Sequence, residues 1–537
     1  MSFDFQRYGY GSRRTVSFAR NGMAATSSPL PAQTGLDVLR RGGNAIDAAI
    51  AMAAALTVIE PTSNGIGSDA FALMWTKGKL YGLNASGRAP MALTTDVMRE
   101  KGFAAMPKRG WETVMVPGAP AAWAELSKRF GRVPFENLME PAARYAEEGF
   151  PLPSYVAKLW NAANEDFSKT LTGNEFRGWF DTFVPGGVCP DSGDIWSCAD
   201  MAATLRRVGR SRAESFYRGE LAEKIDAFSR ETGGYIRFED MAAYRPECVE
   251  PITANYRGYD VYELPPNGHG ITVLMALNIL RGFELGEERE SADVYHKMAE
   301  SLKLAFTDAK TYVADPAAMR TKTAELLSDG YAAKRRALIR PDRALTPTAG
   351  DPSCGGTVYL CTADGEGNMV SYIQSNYMGF GSGIVVPGTG ISLQNRGANF
   401  SLNPESDNVL APGKRSYHTI IPGFLAKDGA PIGPFGVMGG FMQPQGHLQV
   451  LVNTIDFHMN PQEALDAPRF QWTGGKKIQL EKSVSPSIVK SLRELGHDIE
   501  IVEDSVNMGR GEIIWRLENG VLAGASEPRC DGHVACY

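Results

Sequence analysis

The chain has 537 residues with a mildly acidic balance, 55 Lys and Arg against 61 Asp and Glu, which argues against a nucleic-acid partner. A hydrophobic fraction of 43% is typical of a globular protein with a sizeable core. The length allows two to four domains or one large α/β body.

The cysteines and the N-terminus indicate the cellular setting. Seven cysteines without any Cys-x-x-Cys spacing predict reduced thiols rather than a disulfide framework. The first residues lack the apolar region of a signal peptide. The most hydrophobic stretch, Ala45–Ile59, carries Asp47 and is too short to span a bilayer. We therefore expect a cytoplasmic protein with no membrane association.

The N-terminal part predicts two helices followed by a hairpin. Gln33–Arg41 is expected to be helical up to a Gly-Gly stop, and Ala45–Ile59 reads as a buried helix. Gly65–Asp69 is a predicted tight turn into strands at Ala70–Trp75 and Leu80–Leu83. The Gly-x-Gly in this turn lacks the pattern of a phosphate-binding loop, so no nucleotide site is expected there.

The middle of the chain, residues 120–310, is mostly helical by its apolar period, with helices expected at Ile271–Leu280 and Ala292–Val313. His269 precedes the first of these helices and His296 lies on the second. We interpret both histidines as structural, because the sequence shows no second metal-ligating residue at the spacing of a metal site around either of them. No metal ion is expected.

The C-terminal third begins with a loop and a hairpin. Residues 341–356 have no apolar period and three prolines, which predicts an exposed irregular loop. Thr357–Thr362 and Met369–Gln374 are β-prone runs separated by turn residues. Further on we predict a strand and loop at Ile391–Asn399, a strand region at Lys414–Leu425, and a segment Gly433–Gly440 that leads into a helix ending near Val452.

Thr357 occupies a position with a chemical use, where the loop and two glycines meet the first residue of a strand. If the Gly356–Thr357 bond were cut, the Thr357 hydroxyl would be a nucleophile with its own α-amine as base, since such amines titrate near ~8. The same hydroxyl could make the cut by attacking the Gly356 carbonyl. The alternative is that Thr357 merely begins a strand, as residues after loop glycines commonly do.

Motifs spread over nearly the whole chain make the sequence resemble the γ-glutamyltransferase (glutathione hydrolase) family of N-terminal-nucleophile hydrolases. Its divergent cytosolic branch includes glutathione-hydrolase-like proteins, oxamate amidohydrolase and cephalosporin acylases. Besides the Gly-Gly-Thr junction, the resemblance rests on Arg41–Ala49, Glu60-Pro61, Gly65–Gly67, Phe216–Gly219, Ser375–Gly383, Met438–Gly440, Asp466–Phe470 and Gly524–Arg529.

The resemblance implies a four-layer αββα sandwich made as one chain. It also implies self-cleavage into a large subunit, residues 1–356, and a small subunit, residues 357–537, which stay together as a heterodimer. Further dimerisation of this unit is left open. The implied substrate is a small amide, and no cofactor is implied.

The resemblance also assigns catalytic roles. It makes the backbone N–H groups of Gly439 and Gly440 the oxyanion donors, which is plausible because paired glycines before a helix let two amides point at one spot. Ser375 falls where the family carries a threonine whose hydroxyl orients the nucleophile. The alternatives are a tight turn for the two glycines and a turn residue for Ser375.

The substrate contacts depart from the family pattern. Ser86 stands where the family usually places the arginine that grips the substrate carboxylate, and Arg88 lies two residues later. Arg396 stands where a neutral or acidic side chain is commoner. Both arginines are therefore candidates for a bidentate grip on a carboxylate, with an ordinary surface position as the alternative for each.

Three further positions differ as well. Asn399 falls on the acidic residue that pairs with the α-amine of a γ-glutamyl group, and a neutral amide loses most of that attraction. His418 and Thr419 replace a serine pair that also touches the carboxylate. These changes favour an acyl group that has a carboxylate and lacks the ammonium group.

The function we expect is hydrolysis of a small amide through an ester on Thr357, with γ-glutamyl compounds such as glutathione as the default substrates. Oxamate or another dicarboxylic monoamide is the first alternative, and a cephalosporin (glutaryl) acylase activity is the second. A non-catalytic relative that binds a ligand without cutting itself is the rival from a different class.

Overall fold

The computed structural model describes residues 13–347 and 356–537. Residues 348–355 of the predicted loop, including Gly355, lie outside the described residues. In the described part, the helices are α1 (Pro29–Arg40), α2 (Ala45–Ile59), α3 (Thr95–Glu100), α4 (Ala119–Phe130), α5 (Phe135–Glu148), α6 (Ser154–Thr170), α7 (Arg177–Phe183), α8 (Ala199–Ser211), α9 (Glu214–Arg218), α10 (Glu220–Glu231), α11 (Phe238–Ala243), α12 (Gly270–Leu280), α13 (Ala292–Tyr312), α14 (Thr323–Leu326), α15 (Asp329–Arg336), α16 (Met442–Ile455), α17 (Pro461–Asp466) and α18 (Pro486–Glu494).

The strands of the described part are distributed among these helices along the chain. They are β1 (Ser17–Ala19), β2 (Gly22–Thr26), β3 (Asp69–Thr76), β4 (Lys79–Ala85), β5 (Phe150–Pro151), β6 (Ile195–Trp196), β7 (Glu247–Val249), β8 (Ile252–Tyr256), β9 (Tyr259–Glu263), β10 (Gly356–Asp364), β11 (Met369–Tyr377), β12 (Val385–Val386), β13 (Ile391–Ser392), β14 (Gly423–Lys427), β15 (Ala430–Met438), β16 (Phe470–Gly474), β17 (Lys477–Glu481), β18 (Asp498–Val502), β19 (Arg510–Arg516), β20 (Leu522–Ser526) and β21 (His533–Cys536).

Two seven-stranded sheets form the centre of the molecule. Their strand orders are β21-β2-β10-β11-β3-β4-β7 and β1-β20-β19-β15-β14-β9-β8. A buried apolar layer containing Phe71, Ile373, Phe424 and Ile514 lies between the sheets. Helices including α2 and α4 pack on the first sheet, with α5 behind α2, and α12 and α16 pack on the second, with α13 behind α12. The predicted four-layer αββα sandwich is therefore confirmed.

Helix α2 shows how the sequence builds the outer layer. The Asn44 side chain accepts from the Asp47 N–H while the Asp47 carboxylate accepts from the Asn44 N–H, a reciprocal cap that fixes where the helix starts. All residues of α2 are buried, and its bounds match the prediction. Helix α1 starts before the predicted Gln33, because Pro29 and Pro31 are tolerated in a first turn, where no N–H is needed.

The predicted hairpin at Thr357 is also present, as the antiparallel pair β10 and β11 at the middle of the first sheet. Gly356 pairs with Tyr377 and Val358 pairs with Gln374, so β11 carries one extra residue opposite Thr357. Such bulges redirect side chains near active sites. Tyr377, at the end of β11, has φ of 80°, in the left-handed region.

Two segments differ from their predictions. The region expected to be mostly helical contains β7, β8 and β9, because alternate residues such as Ala254 and Tyr256 turn inward on an antiparallel sheet, a period of two. Within the predicted strand region Lys414–Leu425, the strand starts only at Gly423, and the preceding residues are irregular.

Candidate active site

The Thr357 side chain is buried between two polar partners. Its hydroxyl donates to Ser375 Oγ at 3.2 Å and accepts from Gln443 Nε2 at 3.4 Å. Ser375 Oγ in turn accepts from the Tyr377 N–H at 2.7 Å, a bond that belongs to the bulged end of β11. The structure thus brings the candidate nucleophile and the candidate orienting hydroxyl together. Gln443, in the first turn of α16, was not identified from the sequence.

A buried ion pair holds the backbone of the nucleophile. Arg510 Nη2 donates to the Thr357 carbonyl at 2.8 Å, and Arg510 Nη1 lies 2.6 Å from Glu60. Burial opposes the charged guanidinium, but Tyr155 and Glu60 outweigh it and raise the Arg510 pKa above its ordinary value. Glu60 belongs to one of the family motifs, but no role was predicted for it. Its role here is to keep a cation next to Thr357.

Gly439 and Gly440 lie between the end of β15 and the start of α16. Their φ angles are 132° and 58°, which favour glycine, and a Cβ at Gly439 would lie 3.2 Å from the Cα of Gly509. Neither backbone N–H has an acceptor among the described residues. Both N–H groups are therefore available at a helix N-terminus, where an anion is stabilised.

A cluster of buried charges, here called the acyl-side cluster, adjoins the nucleophile and consists of Arg396, Asp69, His418 and Thr419. Arg396 Nη1 donates to Thr419 Oγ1 at 2.6 Å, and its guanidinium lies 4.5 Å from the centre of the Tyr377 ring. Its Nε and Nη2 have no partner within the described residues. Burial lowers the Arg396 pKa to about 10, so the group stays charged at neutral pH.

Asp69 and His418 form the other half of the acyl-side cluster. Asp69 Oδ2 lies 3.0 Å from His418 Nε2, and both side chains are fully buried. Burial raises the Asp69 pKa to about 7, although Arg396 and the backbone N–H groups of Gly87 and Gly118 hold it down in part. Burial and Arg396 together lower the pKa of His418 well below its ordinary value. Asp69 Oδ1 makes no hydrogen bond of normal geometry to the described residues.

Two polar routes connect this cluster to Thr357. On one, the Tyr377 ring contacts Arg396 while the Tyr377 N–H bonds Ser375. On the other, the N–H of Ile421, two residues after Thr419, donates to Gln443 Oε1 at 2.9 Å. Asp69 was not predicted as a site residue. The feature that could have indicated it is a carboxylate at the first position of an otherwise apolar strand.

The other two predicted substrate-binding residues, Asn399 and Arg88, differ in their relation to the acyl-side cluster. Asn399 ends the short 3-10 turn that starts at Arg396, and its Nδ2 has no partner in the described chain. Arg88 is 39% exposed and engaged elsewhere, at 2.8 Å from Glu247, 3.6 Å from Asp315 and 2.9 Å from the Gly413 carbonyl. The structure does not bring Arg88 into contact with Thr357 or Arg396.

An open cavity of about 300 Å³ shares wall residues with the surroundings of Thr357, and we call it the amine-side cavity. Gly439 and Arg510 form part of its wall, so it reaches both the candidate oxyanion donors and the group that holds Thr357. One face of α6 forms the opposite wall. The cavity therefore lies next to groups that surround Thr357, and none of the four residues of the acyl-side cluster lines it.

The family to which this site belongs follows from comparison with known proteins. Residues 31–537 match the family model described as gamma-glutamyltranspeptidase. The chain belongs to the gamma-glutamyltranspeptidase family. It is therefore an enzyme of the N-terminal-nucleophile hydrolase type, as the resemblance predicted.

Relatives of this gamma-glutamyltranspeptidase family chain carry several activities in their names. A solved cephalosporin acylase from Bacillus halodurans is 58% identical with a TM-score of 0.97, covering 100% of this chain and 99% of its own. The glutathione hydrolase-like YwrD proenzyme of Bacillus subtilis is 35% identical over 95% of this chain and 97% of its own length. The oxamate amidohydrolase proenzyme of Klebsiella pneumoniae is 33% identical over 96% and 98%.

His296 requires a correction, because it does have ligand-type neighbours. The ligand atoms of His296, Glu300 and His497 lie within 4.8 Å of one another, with Glu300 one helical turn after His296 on α13. The Lys303 ammonium lies 2.7 Å from Glu300 and 3.3 Å from His497. The lysine therefore supplies the positive charge that a metal ion would supply, and the cluster is satisfied by protein groups.

Among the described residues, no helix is both long enough and apolar enough to cross a membrane.

Proposed function

We propose that this gamma-glutamyltranspeptidase family member is an N-terminal-threonine amidohydrolase that cuts its own Gly356–Thr357 bond. The observation that carries the proposal is the buried Thr357 hydroxyl, held by Ser375 and Gln443 at the start of a central strand. The word "proenzyme" in the names of the relatives supports processing. The products are residues 1–356 and 357–537, a heterodimer held by the shared central sheets, in which β10 pairs with β2.

Self-cleavage requires only the groups at this junction. The Thr357 hydroxyl attacks the Gly356 carbonyl carbon, the C–N bond breaks, and the hydroxyl proton goes to the nitrogen, which becomes the α-amine. Water then hydrolyses the Gly356 ester, releasing a carboxylate and restoring the hydroxyl. Ser375 orients the hydroxyl during the attack, and Gln443 donates to the same oxygen.

Turnover repeats this chemistry on a substrate. The free α-amine takes the hydroxyl proton as Thr357 Oγ1 attacks the substrate amide. The N–H groups of Gly439 and Gly440 stabilise the oxyanion, which is the largest single contribution in many acyl transfers. The amide C–N bond breaks, the leaving amine takes the proton, and water hydrolyses the ester on Thr357 to a carboxylic acid.

The acyl-side cluster suits a γ-glutamyl group, which carries both a carboxylate and an ammonium. Arg396 has two donor atoms that bind no other described residue and can bind the carboxylate, and Thr419 holds the guanidinium in place. Asp69 Oδ1 is an acceptor for the ammonium, with His418 orienting the other oxygen. Asp69 thus supplies the acidic group that the neutral Asn399 lacks, and Asn399 Nδ2 is a further donor to the carboxylate.

A dicarboxylic monoamide such as a glutaryl amide is the second candidate. It is supported by the Asp69 pKa of about 7. When Asp69 is protonated, it does not neutralise Arg396 and does not require an ammonium group on the substrate. The acylase and oxamate amidohydrolase names among the relatives point the same way. Arg88 remains a candidate for the carboxylate of a longer acyl group.

Denaturing electrophoresis with N-terminal sequencing tests the proposal. Two bands are expected, the smaller one starting at Thr357, together with hydrolysis of at least one amide in a panel of glutathione, γ-glutamyl anilide, oxamate and glutaryl amides. One intact band with ligand binding and no turnover would instead support a non-catalytic binding protein. The proposal includes a reducing, cytoplasmic setting, supported by the sparse cysteines of the sequence.

A further inference from the structure

The residues that line the amine-side cavity are not accounted for by binding of the acyl group. Its volume of about 300 Å³ is at the lower end of the range typical of small-molecule sites. An apolar stripe of α6, formed by Leu159, Ala162, Ala163 and Phe167, makes one wall together with Phe380. Such a wall is suited to the carbon skeleton of a molecule larger than ammonia.

The charges of this cavity are uneven. Arg510, Arg109 and Asp166 line it, and Arg510 is already paired with Glu60. Arg109 is half-buried, and among the described residues no carboxylate lies within 4.0 Å of its guanidinium. The Asp166 carboxylate acts on Arg109 only at longer range and is itself exposed. Burial lowers the Arg109 pKa to about 10, so it is still charged at neutral pH.

The guanidinium of Arg109 is nevertheless held in place. Its Nη1 donates to the carbonyls of Gly379 and Gly381, at 2.7 Å for Gly379, and the group lies 4.7 Å from the centre of the Phe167 ring. Its Nε and Nη2 make no hydrogen bond to the described residues. A cation that is fixed on one side and without partners on the other is suited to binding an anion.

We propose that the amine-side cavity binds the leaving amine of the substrate and that Arg109 binds a carboxylate on that amine. This rests on the proposed function, because it requires Thr357 as the nucleophile next to Gly439. The substrate class is then an acylated amino acid or similar amine, with an apolar body between its nitrogen and its carboxylate. An amide of ammonia, such as oxamate, leaves this cavity unfilled and is expected to be a poorer substrate.

A matched pair of amides tests the proposal. The 3-aminobenzoate and 3-aminobenzamide amides of one acyl group, γ-glutamyl or glutaryl, differ only by a carboxylate on the leaving amine. For the wild-type enzyme, kcat/KM for the aminobenzoate amide is expected to be about tenfold to a hundredfold higher, the size of one hydrogen bond to a charged group. Free 3-aminobenzoate is likewise expected to inhibit more strongly than free 3-aminobenzamide.

The variants Arg109→Gln and Arg109→Lys link this preference to one residue. The ratio of the two kcat/KM values is expected to fall to within about threefold of one in Arg109→Gln and to be partly retained in Arg109→Lys, since lysine keeps the charge and loses the fork. Asp166→Asn is expected to raise the ratio, because it removes a repelling carboxylate. The wild-type ratio and the inhibition need no variant, which matters because Arg109 also holds the loop at Gly379.

The outcomes separate the two proposals. A cleaved, active enzyme with a wild-type ratio near one, or a ratio that Arg109→Gln leaves unchanged, overturns the assignment of Arg109 and leaves the proposed function standing. A chain that remains intact and hydrolyses neither amide overturns the proposed function and this inference with it.

Discussion

The two sides of Thr357 are built in opposite ways. The acyl-side cluster is closed and fully buried, and three polar atoms of Arg396 and Asp69 have no hydrogen-bond partner among the described residues. The amine-side cavity is open, has an apolar wall and carries Arg109, a cation with no carboxylate within 4.0 Å in the described part of the chain. Buried polar atoms without partners cost free energy, so a protein keeps them where a ligand supplies the partners. We therefore expect charge to select the acyl group, and shape together with one charge to select the amine.

The largest expected effect comes from removing the atom that the two sides share. Thr357→Ala is expected to abolish both self-cleavage and turnover, because it removes the proposed nucleophilic oxygen, which Ser375 orients but does not replace in the proposed mechanism. The measurement is the band pattern on denaturing electrophoresis together with hydrolysis of a γ-glutamyl amide. Thr357→Ser is the matched control and is expected to cleave, since it keeps the nucleophilic oxygen. Amide hydrolysis by a purified Thr357→Ala chain would remove Thr357 from the mechanism.

The next effect distinguishes the acyl side from the amine side. Arg396→Met is expected to lower kcat/KM for carboxylate-bearing acyl groups by about a hundredfold, the size of one to two charge-assisted hydrogen bonds. The comparison substrate is the acetyl amide of the same amine, which offers no carboxylate to Arg396. A loss that is equal for both acyl groups would show that Arg396 supports the structure rather than the substrate.

A smaller effect depends on pH. Asp69 has a pKa of about 7, so it becomes a carboxylate able to pair with an ammonium as the pH rises through 7. The ratio of kcat/KM for γ-glutamyl and glutaryl amides of one amine is expected to rise about tenfold from pH 6 to pH 8, following the ionised fraction of Asp69. The α-amine of Thr357 affects both substrates equally and cancels in this ratio. Asp69→Asn is expected to flatten it, and a flat wild-type ratio would exclude Asp69 from ammonium binding.

The same shift predicts how stability changes with pH. The pKa of Asp69 is raised from 3.8 to about 7 in the folded protein, so the folded state keeps a proton that the unfolded chain loses. The stabilisation is complete below the unfolded pKa, and the free energy of unfolding is expected to fall as the pH rises from about 4 to 7. Denaturant unfolding at several pH values measures this, and Asp69→Asn is expected to reduce the slope.

Much of the fold was predictable because local signals agreed with the global structure. The apolar run of α2 between its cap at Asn44 and its end at Ile59 fixed that helix to the residue, and the turn after Thr362 fixed the central hairpin. Strands β8 and β9 were missed because they are short strands within a region of helical period. β9 pairs with β14, which is distant in sequence, and β8 forms the sheet edge by pairing with β9.

The candidate site was predictable only where its chemistry lies in one stretch of sequence. Thr357 and Ser375 lie on one hairpin, so their 3.2 Å contact follows from the register and the bulge. Asp69 and Gln443 were missed because each lies on a different element from Thr357, and Arg109 was missed because it lines a cavity from a separate loop; no local pattern marks them.

Substitution of Arg88 has the smallest expected effect, and it tests how far the acyl-binding site extends. Arg88→Ala is expected to raise KM for carboxylate-bearing amides about fivefold or less, because Arg88 is 39% exposed and already paired with Glu247, and exposed charge pairs contribute ~1 kcal/mol or less. Steady-state kinetics with γ-glutamyl and glutaryl amides measures the change, and Arg99→Ala, which removes another exposed salt-bridged arginine, is the matched control. A rise in KM as large as that of Arg396→Met would place Arg88 within the acyl pocket. The boundary of the acyl-side cluster would then extend to Glu247, and longer dicarboxylic acyl groups would become the preferred substrates.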